Sequence, residues 1–220
     1  MGGIRLNRRV WLLTTAITVI LSVTATGTDF GASFKLGTTG IGSDVTMSYK
    51  ENLNLRAGLS GFSRTFESDE DDITGKVNLL TVPVLADWHP KGGNFRVSGG
   101  IFLNNNKLSL SAGAGETVEI NDIEYQVDDF SADLTFNRIS PYLGIGFSNV
   151  AIEGRRLVFA FDLGVMFHGT PKLSARATAS DPALQPELDR NLEIELEERR
   201  EDVEPFKFYP VLTFGAMYRF

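Results

Sequence analysis

Seven ionisable residues sit singly in stretches that are otherwise apolar or rich in glycine: Lys35, Asp44, Arg56, Asp87, Arg96, Asp162 and Lys207. Four cations and three anions placed that way suit mutual pairing, because an ion taken out of water alone is strongly disfavoured. The remaining chemistry is thin. The histidines are His89, in the turn-like run His-Pro-Lys-Gly-Gly, and His168, with Ser174 six residues further on. A base and a hydroxyl would still need an orienting acid and an oxyanion site to act on an ester. The absence of cysteine excludes a disulfide scaffold, a thiolate zinc site and cysteine catalysis. Glu67, Asp69, Glu70, Asp71 and Asp72 would attract divalent cations that bridge lipid phosphates, but their spacing fits no calcium loop, and such runs are ordinarily solvated. No metal, no cofactor and no catalytic residue is expected.

These residues are carried on 220 positions, 42% hydrophobic and 22% charged, with 22 Gly and 16 Phe, a composition of one mostly β domain. At the start, Arg5, Arg8 and Arg9 precede an apolar run at 10–23, too short to span a membrane as a helix. Residues 1–27 are expected to be a signal peptide and 28–220 the mature domain. Its removal leaves 18 cations against 28 acids, and this negative balance argues against nucleic acid as a partner. Of those acids, 22 lie in three segments, 67–72, 116–133 and 181–204.

Between the acidic segments, apolar and polar residues alternate at period two, the pattern of strands with two unlike faces. In the last stretch Phe206, Phe208, Pro210, Leu212, Phe214, Ala216, Tyr218 and Phe220 share one face. Leu157, Phe159, Phe161, Leu163, Val165 and Phe167 do the same, as do Ile139, Leu143, Ile145 and Phe147, and Phe95, Val97, Ile101 and Leu103. Residues 29–37, 41–50, 53–65 and 74–88 complete eight predicted strands, with a tight turn at 37–40 where the apolar face changes parity. Short turns alternate with long acidic connections beginning near 66, 104 and 169. The fold predicted is all-β, a transmembrane antiparallel up-and-down barrel with short turns and both termini on the periplasmic side.

A soluble lipocalin-type barrel would carry the same alternation with the apolar face turned inward. The aromatic-rich greasy face, the glycines opposite it and the ending Tyr218-Arg219-Phe220 favour the membrane form. At that terminus the chain resembles the small Gram-negative outer-membrane barrels, the group of the OmpA transmembrane domain, OmpX and OmpW. The resemblance implies an outer-membrane location, contact with outer-membrane lipid and lipopolysaccharide, and an assembly signal at Phe214, Tyr218 and Phe220 read by the barrel-assembly machinery. It implies no activity, because fold does not determine function.

With the greasy face outward, the seven ions and nine strand glycines point inward. An ionic plug filling the space vacated by glycine is the expected lumen; a water-filled, porin-like pore is the alternative. The 182–204 segment is predicted to be a helix capped by Asp181, with Leu184, Leu188, Leu192, Leu196 and Val203 along one stripe, docked on the barrel rim or free to bind a partner. The function expected is structural or surface interaction, or a narrow channel for small solutes. The alternative is an outer-membrane lipid-modifying enzyme, with His168 its only candidate base. The oligomeric state stays open.

Overall fold

The computed structural model describes residues 29–68, 73–149 and 157–220. The expected leader and Asp69, Glu70, Asp71 and Asp72 lie outside these residues. In chain order the strands are β1 (Phe30–Gly37), β2 (Gly40–Lys50), β3 (Leu53–Glu67), β4 (Ile73–Trp88), β5 (Phe95–Asn104), β6 (Lys107–Ala112), β7 (Glu116–Ile120), β8 (Ile123–Thr135), β9 (Ile139–Asn149), β10 (Leu157–Phe167), β11 (Lys172–Ala179) and β12 (Phe208–Arg219), with helix α1 (Gln185–Val203) before the last.

Eight of them close a barrel. β1 to β5 pair in succession, β5 pairs β9, β9 pairs β10, β10 pairs β12, and β12 returns to β1, every pairing antiparallel. Closure leaves no open edge in the ring, which alternation alone does not guarantee. The two-residue turn Thr38-Thr39 joins β1 to β2, with Gly40 at φ 97°, a backbone region that favours glycine. The first and last strands meet at one end, where the Phe220 amide donates to the Phe30 carbonyl. The apolar faces point outward along the whole ring, so that Phe34, Ile139, Phe159 and Phe214 are all more than half exposed.

The long connections differ from the sequence expectation. Rather than acidic loops, the connections beginning near 104 and 169 carry strands that extend the barrel wall at the end opposite the termini. β6 continues β5 along β4, the pair Thr81↔Asn104 being followed in the same register by Asn78↔Lys107. β8 likewise runs into β9, and β11 follows β10 to pair with β8. β7 and β8 form a hairpin over Asn121 and Asp122, both at positive φ, the conformation of a two-residue type I′ turn. This extended sheet forms a head above the barrel.

At the barrel–head junction the faces exchange character. Leu80, Leu103 and Ile139 are exposed on the outer wall of the barrel. One step further along the same strands, Asn78, Lys107 and Thr135 take the outer side, and Val77, Leu108 and Leu134 take the inner. The head is therefore organised as a water-facing structure with its own core: Ala112, Val118, Ile120, Tyr125, Val127, Ala177 and Ala179 packed beneath Leu188 and Leu192 of α1. The helix docks on this sheet, chiefly on β11, rather than on the barrel rim. Asp181 does cap its entry, its carboxylate accepting from the Ala183 amide at 2.9 Å in a short 3-10 turn, Pro182–Leu184, that leads into the helix. Buried Asn191 donates to the Tyr125 hydroxyl at 2.5 Å and accepts from Asn121 at 3.1 Å, which ties α1 to the β7–β8 hairpin.

Candidate functional site

The strands bring six of the seven singled-out ions into one layer across the lumen. Lys35 Nζ lies 2.6 Å from Asp44 Oδ1. Arg56 stands at the centre: its Nη2 donates to Asp87 Oδ1 at 2.9 Å, its Nη1 to Asp162 Oδ2 at 3.2 Å, and Nη1 lies 3.7 Å from Asp44 Oδ2. Arg96 Nη2 donates to Asp162 Oδ1 at 2.7 Å. Hydroxyls complete the coordination, with Ser98 donating to Asp87 at 2.5 Å, Thr213 donating to Asp162 at 3.3 Å, and Ser148 accepting from Arg96. All six charged side chains are buried, and three cations face three anions.

Lys207 is not part of this layer, contrary to the expectation from parity. It belongs to a second 3-10 turn, Glu204–Lys207, preceding β12, where strand alternation does not apply; its side chain is 44% exposed and lies 3.6 Å from Glu204. Its removal from the set leaves the layer neutral. That is the arrangement that best offsets the desolvation of buried ions.

The glycines have the space-making role that the alternation suggested. A Cβ at Gly146 would lie 2.6 Å from both Arg96 Nε and Asp162 Oδ1. One at Gly164 would fall within the Tyr142 ring, 2.6 Å from Cζ. The Tyr142 ring thereby lies along the wall over Gly144 and its cross-strand partner Gly164, and contributes to a second, apolar layer with Leu85, Phe102, Met166 and Val211. The Phe102 and Tyr142 rings are 5.1 Å apart. Nothing in the alternation distinguished this layer, because inward-pointing Leu85 reads as an irregularity until its neighbours around the ring are known.

The lumen is consequently asymmetric. A cavity of about 420 Å³ opens at the end bearing the termini, lined in part by Asn54, His89 and Arg219. At the charge layer it narrows to about 50 Å³, room for a few waters. Beyond that lie the buried side chains of the apolar layer. His89 stays in its turn, with Nδ1 3.0 Å from the Gly93 carbonyl and Nε2 3.3 Å from Asn54.

The closed eight-strand ring has solved counterparts in its fold. Crystal structures of two Acinetobacter baumannii proteins resemble it: CarO2, at TM-score 0.57 and 19% identity over 87% of this chain and 98% of that one, and CarO, at TM-score 0.54 and 20% identity over 86% and 96%. The fold is that of outer-membrane β-barrels. No protein-family model matches the sequence, and no curated protein matches it.

Outside the layer, His168 is buried at the head end of the barrel, stacked on Phe136 at 4.2 Å. Its Nε2 donates to the Phe206 carbonyl at 2.7 Å, which pins the turn before β12. Ser174 lies elsewhere, paired across the sheet with Asp133. Phe214, Tyr218 and Phe220 are exposed on the outer wall, with Phe214 4.8 Å from Phe161 and Tyr218 5.3 Å from Phe220.

Proposed function

We propose that the chain is a Gram-negative outer-membrane barrel with a closed lumen, whose role is structural or surface-interacting and is exercised by the head outside the cell. The observation that carries this reading is the pair of stacked lumenal layers, a neutral ionic one and then a buried apolar one, in a barrel narrow enough for side chains to fill. The outward Phe-rich band supports insertion in lipid. Short turns at the end bearing the termini support a periplasmic placement of that end, with the head outside. Strand number and the aromatic last strand support grouping with the OmpA, OmpX and OmpW kind of small barrel. They also support recognition of Phe214, Tyr218 and Phe220 by the barrel-assembly machinery.

We further propose that the protein is not an enzyme. His168, the candidate base, is occupied by the Phe206 carbonyl and sits between aromatic rings, whereas Ser174 belongs to another strand. Neither is arranged to act on a lipid ester. The test is conductance in planar bilayers. Wild type should show at most small currents, and Phe102→Ala/Met166→Ala, which empties the apolar layer, should raise them. Large stable openings in wild type would overturn the closed-lumen reading.

A further inference from the structure

The face exchange at the barrel–head junction marks a level on the outer wall. Below it the wall is Leu80, Leu103 and Ile139; immediately above it run two cross-strand rows, Asn78, Lys107, Thr135, Lys172 and then Lys76, Ser109, Asp133, Ser174. In a protein whose acids outnumber its cations, these rows hold three lysines and one aspartate. The aspartate is already engaged, since Asp133 lies 2.9 Å from Lys107 and accepts from Ser109 at 2.7 Å.

The strand ladders loosen at the same level. The Asn106 side chain, instead of a backbone carbonyl, accepts from the Leu80 amide at 2.9 Å. The loosening leaves a cavity of about 360 Å³ lined by Asn78, Asn105, Lys107, Thr135, Phe136 and Arg138, with Asn104 in its wall. Asn104 is buried, and its amide nitrogen has no hydrogen-bond partner. Arg138 and Lys172 make no ion pair among the described residues.

We propose that this cavity and the lysine rows beside it bind the phosphorylated sugar headgroup of an outer-leaflet glycolipid. The inference rests on the outer-membrane reading and names a ligand site within it. Three features select that chemistry. The cavity adjoins the apolar band, at the height where lipid headgroups begin. Asparagine amides and the Thr135 hydroxyl offer donors and acceptors matching sugar hydroxyls. Arg138, Lys107 and Lys172 offer the charge-assisted bonds that phosphate takes. An acyl chain anchored in the bilayer against Leu80 and Leu103 would hold the headgroup there, adding the effective concentration that a free sugar phosphate lacks.

The test places the mature chain in phosphatidylcholine nanodiscs containing a small fraction of diphosphorylated lipid A and counts retained lipid by native mass spectrometry. Wild type should retain lipid A, and Arg138→Gln/Lys172→Gln should reduce retention about tenfold, as expected for lost charge-assisted contacts. Lys50→Gln, at the other end of the barrel, should leave it unchanged. Phosphate-free lipid A should be retained no better than phosphatidylcholine, and millimolar glucosamine 1-phosphate should not displace the lipid. Retention by the double variant within twofold of wild type, equal retention of the phosphate-free lipid, or full displacement by the soluble sugar phosphate would overturn the proposal. A chain that fails to enter the bilayer would instead reject the outer-membrane reading itself.

Discussion

Replacing Arg56 by methionine is the sharpest perturbation of the charge layer. Arg56 serves three carboxylates, but two of them have a second cation: Asp44 keeps Lys35 at 2.6 Å and Asp162 keeps Arg96 at 2.7 Å. Asp87 has none among the described residues and would retain the Ser98 hydroxyl at 2.5 Å. The substitution therefore strands one buried carboxylate. Removing one partner of a buried ion pair costs about 3–5 kcal/mol, and the two spare cations put Arg56→Met at the low end, about 3 kcal/mol. Adding Asp87→Asn restores neutrality, and the amide can still bond Ser98. The double variant should thus recover at least about 1 kcal/mol relative to Arg56→Met. Trp88 is the one tryptophan within residues 28–220 and stands exposed on the outer wall, so its fluorescence in that segment follows urea unfolding in lipid vesicles. A single variant within about 1 kcal/mol of wild type would refute the reasoning. So would a double variant less stable than the single one, because the layer would then not be held by charge matching.

Leu163→Arg places a cation on the outward face of β10, and near the middle of the hydrocarbon it should cost about 2–4 kcal/mol of folding stability in bilayers; equal stability of wild type and variant there would contradict the outward orientation in lipid. In the head, hydrogen bonds from Lys107 and then Ser109 hold the Asp133 carboxyl below its usual range. A lowered folded pKa adds stability above the unfolded value, about 3.9, and loses it as pH falls further, so amides of β6 and β8 should lose exchange protection, relative to their intrinsic rates, below about pH 4. Asp133→Asn should flatten that dependence, and an unaltered pH profile in the variant would dismiss the link.

The eight barrel strands and their apolar faces were legible in the sequence because each strand in lipid needs one greasy side along its length, and alternation records that locally. The ions were legible for the same reason: Arg56 or Asp162 within an apolar stretch has few places to go except inward. The head was obscured by its charge. Val118, Ile120, Tyr125 and Val127 alternate across Asn121-Asp122, a two-residue hairpin signal, but seven acids in 116–133 made the segment read as a solvated loop. Tertiary structure alone decided which ions meet, since pairing joins residues as far apart as Arg56 and Asp162 and depends on barrel closure and register. It excluded Lys207, whose turn suspends the strand period, and so made the layer neutral. It also assembled the apolar layer from β4, β5, β9, β10 and β12, no one of which carries more than one of its five buried residues. Periodicity states that a residue faces inward; only the closed ring determines what it faces.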